Sequence, residues 1–142
     1  MKLLIANRGE IAVRVARTAR ELGIPTVAIH STVDRGTAVT RLADEAVCIG
    51  PPPPGESYLD MDAVLSAAEV TGCDAVHPGY GFLSESPEFA KACANEGLTF
   101  VGPAPEVMQR MGDKVQAKAA AREAGLPVLG GSEGPVGTTE EA

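Results

Sequence analysis

A short apolar run followed at once by a helix with a single apolar stripe is the pattern that most restricts this fold, because the pairing recurs down the chain. Lys2–Ala6 is a continuous apolar run, the kind a parallel sheet buries on both faces. From Gly9 to Leu22 the period changes. Ile11, Val15, Ala19 and Leu22 fall at i, i+4, i+8 and i+11, one stripe along a helix. Gly23 ends that helix and Pro25 forbids its continuation. Thr26–His30, Ala46–Ile49, Asp74–His77 and Thr99–Val101 read as four further strands. Asp60 or Asp62 caps a helix running to about Val70 and closed by Gly72. Ser86-Pro87-Glu88 opens another, with a capping side chain, Pro at the first position and an acid in the first turn, and it ends near Gly97. Pro105 opens a short helix through Met111, and Pro51–Pro54 with Gly55 reads as extended loop. Five strands interleaved with helices predict an α/β fold, doubly wound, with a Rossmann-like, mostly parallel sheet.

The composition shifts near residue 112. Asp113-x-x-Gln116 is a capping box for an alanine-rich helix closed by Gly125. Beyond it Gly130–Pro135 is loop, and Thr138–Glu141 has the look of a cap and first turn. The expected organisation is a domain over residues 1–112, followed by the start of a truncated second domain over 113–142.

Charge excludes some functions. Twelve basic against nineteen acidic residues leave a net charge of −7, without the clustered Lys and Arg that nucleic acid or an anionic membrane surface requires. No apolar stretch approaches the roughly 20 residues of a membrane span. The first apolar run stops at Asn7-Arg8, too short for the roughly 7–15 residues of a signal-peptide core. Cys48, Cys73 and Cys93 show no metal spacing and read as reduced, buried thiols of a cytoplasmic protein.

Ligands of a doubly wound sheet lie beyond the C-terminal strand ends. After the first strand comes Asn7-Arg8-Gly9-Glu10-Ile11, with one glycine where a dinucleotide site needs three, and with Glu10 where the pyrophosphate would lie. Gly9 there serves a tight turn, and Glu10 complements the helix dipole. No Walker A sequence exists, and His30 and His77 read as hydrogen-bonded strand ends with no catalytic partner nearby in sequence. Arg14, Arg17 and Glu21 share one polar helix face, either solvated or a charged subunit contact. Lys114, second in its capped helix, is either a solvated side chain or a phosphate contact aided by the helix N-terminus. His77-Pro78-Gly79-Tyr80-Gly81-Phe82-Leu83-Ser84-Glu85 stands apart from these. Two glycines and a proline set an unusual path there, and an ordinary connection of about 2–6 residues has no need of it.

Ile5–Ala12, Ala43–Gly50, Ser57-Tyr58-Leu59, His77–Glu85 and Met111-Gly112-Asp113-Lys114 together resemble the N-terminal portion of biotin carboxylase, in family order. The resemblance is to the family that serves acetyl-CoA, propionyl-CoA and pyruvate carboxylases. It implies a pre-ATP-grasp domain followed by the first helix of an ATP-grasp fold. In that family ATP activates bicarbonate to carboxyphosphate, and the carboxyl group passes to N1 of biotin on a carrier protein. The implied cofactors are ATP, Mg2+ or Mn2+ and carrier-bound biotin. The implied partners are the biotin carboxyl carrier and the carboxyltransferase subunit, which chooses the acyl acceptor. By resemblance Lys114 contacts nucleotide phosphates, Tyr80 and Gly81 lie near the biotin pocket, and Arg14, Arg17 and Glu21 belong to a homodimer interface. The family's ATP lid, metal-binding glutamates, bicarbonate-binding arginine and general base match nothing here, so no catalytic or metal residue is expected in this chain. The 142 residues alone are expected to be inactive. The alternative is a stand-alone, non-catalytic module that pairs with a full-length carboxylase.

Overall fold

A computed structural model describes residues 1–130. Its centre is a five-stranded sheet: β1 (Leu3–Ile5), β2 (Thr26–Ser31), β3 (Glu45–Gly50), β4 (Ala75–His77) and β5 (Thr99–Phe100). The spatial order is β3-β2-β1-β4-β5, and every neighbouring pair is parallel. The chain builds outward from β1 through β2 to β3, then returns to the other side of β1 with β4 and β5. That reversal opens a crevice at the C-terminal ends of β1 and β4, where ligands of such sheets bind.

Alternation along β1 distributes the core. Leu3 and Ile5 face a cluster with Ala12, Val15, Ala16 and Ala19 of α1 (Gly9–Glu21) and Val39 of α2 (Ala38–Leu42). Leu4 faces the opposite cluster, with Val64, Ala67 and Ala68 of α3 (Met61–Thr71) and Phe89 and Cys93 of α4 (Pro87–Asn95). Helices cover both sheet faces, which makes the fold the expected doubly wound α/β class. Small alanines on α1 bring that helix close to the sheet, while Leu4 and Ile5, fully buried, each contribute about 1.5–3 kcal/mol of transfer free energy.

Two predicted caps form as hydrogen bonds. Asp60, not Asp62, accepts the Ala63 N–H at 3.1 Å, and the Ser86 hydroxyl accepts that of Phe89 at 3.1 Å. Each is worth about 1 kcal/mol. The remaining helices are α5 (Pro105–Gly112) and α6 (Lys114–Glu123), joined across their surfaces by an Arg110–Glu123 ion pair of 2.7 Å.

Several expectations need correction. α2 was not foreseen, because five residues are too few for a helical period to register. The proline tract is not extended throughout: Pro54–Glu56 forms a 3-10 turn. Cys73 and Cys93 are buried, but Cys48 is exposed, because β3 lies at the sheet edge with half of its residues exposed. The predicted turn at Thr138–Glu141 lies outside the described residues.

Candidate functional site

β1 and β4 run side by side with Ile5 opposite His77, and Ala6 extends the pairing by donating its N–H to the His77 carbonyl at 2.9 Å. Asn7, 3% exposed, is the next residue. Its Nδ2 donates to the carbonyls of Pro78 at 2.6 Å and Tyr80 at 2.8 Å, while its Oδ1 accepts the Arg8 N–H at 2.8 Å. Two carbonyls on one side and an N–H on the other leave a single assignment for the amide. One buried side chain thus clamps the glycine loop to the loop after β1.

Gly79 is demanded twice. Its φ of +66° disfavours any side chain, and a Cβ there would lie 2.9 Å from Asn7 Nδ2 and 3.0 Å from Ile11 Cγ1. His77 Nδ1 accepts the Gly79 N–H at 3.0 Å, a role open only to an unprotonated nitrogen. Burial holds the His77 pKa below its ordinary value, which keeps that nitrogen free. The loop then bends across the start of α1, where the Tyr80 hydroxyl donates to Glu10 Oε2 at 3.1 Å. That bond pushes the Tyr80 phenol pKa up. Tyr80 is 62% exposed and Gly81 is exposed beside it, so this edge of the loop faces solvent.

Beneath the loop lies a buried polar cluster. Asp34, after β2, accepts from Arg8 Nη2 at 2.8 Å, Ser31 Oγ at 2.7 Å and the Tyr58 hydroxyl at 2.8 Å. The Tyr58 hydroxyl also accepts the Ser31 N–H at 3.0 Å. The Tyr58 ring stacks on Phe82 with centroids 5.2 Å apart, and the Arg8 guanidinium carbon lies 5.6 Å from the same ring's centroid. Burial, with the Asp34 carboxylate adding to it, pushes the Tyr58 phenol up to about 12.

Arg14 and Arg17 line a groove between α1 and α2 of about 600 Å³, together with Glu10 and Val39, and Glu21 is exposed farther along α1. Lys114 is exposed at the first position of α6. The N-terminus of that helix is already occupied, since Asp113 Oδ1 accepts the N–H groups of Val115 and Gln116 at 2.9 Å each. An anion would therefore meet the lysine ammonium without those two amides. A second groove, about 570 Å³, has Ser84 and Glu85 at the end of the glycine loop on one side and Met108, Met111 and Gly112 of α5 on the other. His30 is a buried strand end whose Nδ1 lies 2.9 Å from the Ser31 carbonyl, as its sequence position implies. Among the described residues no group of three or more His, Cys, Asp or Glu could hold a metal ion.

The structure therefore brings Tyr80 to Glu10, whose groove along α1 also holds Arg14 and Arg17, and sets Glu21 farther along α1 and Lys114 on α6. Sequence reasoning singled out neither Asn7, Arg8, Asp34, Tyr58 nor Phe82 as residues holding the loop. Asn7 carried a signal, a polar side chain directly after a buried strand in place of a first glycine. Asp34 carried none.

The arrangement holds the Tyr80-Gly81 edge of the loop against Asn7 and Glu10. Known proteins resemble this chain over part of their own length. The chain is 57% identical over 140 residues to a biotin carboxylase of Pseudomonas aeruginosa, covering 99% of this chain and 31% of that protein. It is 53% identical over 141 residues to the mitochondrial propionyl-CoA carboxylase alpha chain of Rattus norvegicus, covering 99% and 19% respectively. A biotin carboxylase of Campylobacter jejuni, solved as a βγ-ATP complex, superposes with a TM-score of 0.94 at 43% identity, over 99% of this chain and 32% of that one. The chain thus spans about a third or less of the length of these relatives. The model of the biotin carboxylase N-terminal domain matches residues 1–108, and the chain belongs to that family.

Proposed function

We propose that these residues are the N-terminal part of a biotin carboxylase, which carboxylates biotin on a carrier protein with ATP and bicarbonate, working with a carboxyltransferase subunit. Residues 1–112 are the pre-ATP-grasp domain and 113–142 begin an ATP-grasp domain. The observation that carries the reading is the Asn7 clamp, which fixes the Tyr80-Gly81 edge open to solvent at the strand switch point of a family-matched frame. A rigid, exposed loop edge of this kind suits the wall of a biotin pocket, since a preorganised contact adds no ordering cost when ligand arrives.

Nucleotide and metal do not fit these residues alone. Lys114 faces solvent on a helix whose end is capped by Asp113, and the described residues hold no carboxylate cluster for Mg2+ or Mn2+. Phosphoryl transfer depends on several positioned cations. In this reading Lys114 is one phosphate contact among groups supplied by the rest of the enzyme, and the fragment does not turn over. Arg14, Arg17 and Glu21 form part of a subunit contact, for which their exposure on α1 leaves them free. The three free thiols suit a cytoplasmic protein, and no helix among the described residues is long and apolar enough to cross a membrane.

The test is a chimera in which this chain replaces the matched N-terminal portion of the Pseudomonas aeruginosa enzyme. Biotin-dependent phosphate release is expected from the chimera and none from the 142-residue chain alone. A folded chimera without biotin-dependent release refutes the reading. Steady release by the isolated chain refutes its inactivity.

A further inference from the structure

Phe82 occupies a backbone position that a phenylalanine ordinarily avoids. Its φ is +45°, and it is the sole non-glycine residue with positive φ among those described. It sits inside a turn closed by the Ser84 N–H donating to the Gly81 carbonyl at 2.9 Å, where glycine is the usual choice. Such a conformation persists only when its surroundings over-determine it. Here the surroundings are a ring stack, 5.2 Å between centroids and 20° between planes, on a Tyr58 that is itself 1% exposed.

Tyr58 cannot drift, because its hydroxyl donates to Asp34 Oδ2 and accepts from the Ser31 N–H. Asp34 in turn is fixed by Arg8 from the loop after β1 and by the Ser31 hydroxyl at the end of β2. The path from Arg8 through Asp34 and Tyr58 to Phe82 thus crosses four chain segments and ends one residue from Gly81. The buried side chains of Ser31, Asp34 and Tyr58 are all bonded within the protein, so this part of the cluster keeps no free polar group for a ligand. Its remaining capacity is to orient what it touches.

We propose that Asp34 and Tyr58 are positioning residues, which hold the Tyr80-Gly81 edge of the glycine loop in a single orientation for biotin. The positioning stands on the geometry alone; its consequence for biotin rests on the proposed carboxylase function. Tyr58→Phe removes one hydroxyl and keeps the stack, whereas Phe82→Gly removes the stack and relieves the positive φ.

Amide hydrogen exchange on the 142-residue chain reads the first half. In Tyr58→Phe, exchange at Ser84 is expected to rise about fivefold, the ratio for one lost buried hydrogen bond. Amides of Val27 to Ile29 in β2 should stay at their wild-type rates. In a Phe82→Gly background, Tyr58→Phe should add nothing further at Ser84, because the path to the loop is already cut. An unchanged Ser84, a rise shared equally by β2, or full additivity of the two substitutions overturns the positioning. The chimera reads the second half: Tyr58→Phe should raise KM for biotin severalfold and leave KM for ATP as it was. An equal change in both, or in neither, overturns the link to biotin. A wild-type chimera without biotin-dependent turnover sinks the carboxylase reading instead, while the exchange experiment still decides the positioning.

Discussion

Removing the Asn7 amide should loosen the glycine loop by an amount the geometry sets. Asn7→Ala deletes two donations, at 2.6 Å to Pro78 and 2.8 Å to Tyr80, from a side chain 3% exposed. Each bond is worth about 1 kcal/mol net, and the buried Pro78 carbonyl left without a partner costs about 1 kcal/mol more at the least. The loss is therefore about 3 kcal/mol, or roughly 10 °C in Tm for a domain of this size. Asn7→Asp has the same shape but sets an acceptor against two carbonyl oxygens. Its ionised form is disfavoured, so the folded pKa of the new carboxyl rises above the ordinary value of about 3.9. A raised folded pKa means stability present below the unfolded pKa and lost as pH rises through the folded one. Urea unfolding followed by circular dichroism at pH 4 and pH 7 checks both claims. The deficit of Asn7→Asp relative to wild type should grow between those pH values, while that of Asn7→Ala stays level. A deficit of Asn7→Ala below about 0.5 kcal/mol, or one for Asn7→Asp that ignores pH, would refute the clamp.

Four other outcomes are expected. The chain has two tyrosines and no tryptophan, so phenolate absorbance should show one group, Tyr80, titrating above its ordinary value and the other, Tyr58, at about 12, with Tyr58→Phe abolishing the second step. Because the Tyr58 pKa is raised by folding, its contribution is complete below about pH 10 and lost as pH climbs toward 12, and alkaline unfolding should begin in that window. Gly50→Ala should lose more than about 3 kcal/mol in the same urea assay, since a Cβ would lie 2.1 Å from the Glu56 carbonyl oxygen and φ is +146°. In the chimera, the proposed subunit contact predicts that Arg14→Glu with Arg17→Glu shifts sedimentation from dimer to monomer, and a wild-type monomer or an unshifted dimer would refute that contact.

What was legible in the sequence divides along a physical line. Leu3 to Ile5, the apolar stripe of α1 and the caps Asp60 and Ser86 are local patterns: their meaning depends on neighbours within about four residues, so they can be read in order. The strangeness of His77–Glu85 was legible for the same reason, since glycine and proline act on their own backbone. The exposure of Cys48 was not, because it follows from strand order, which places β3 at an edge. Nor was the partnership of Asp34 with Tyr58, 24 residues apart, or of Asn7 with Tyr80, 73 apart. Both pairs exist because the parallel crossovers deliver all the strand C-termini to one edge. A loop with an odd backbone announces that something must hold it, and the holders come from whichever segments the topology brings alongside. Here these are the ends of β1 and β2 and the residues before α3, each giving one or two buried polar side chains that look ordinary in their own sequence context. Biotin recognition under the proposed function would therefore depend on residues that never touch biotin, and Asn7 and Tyr58 are where that dependence is open to measurement.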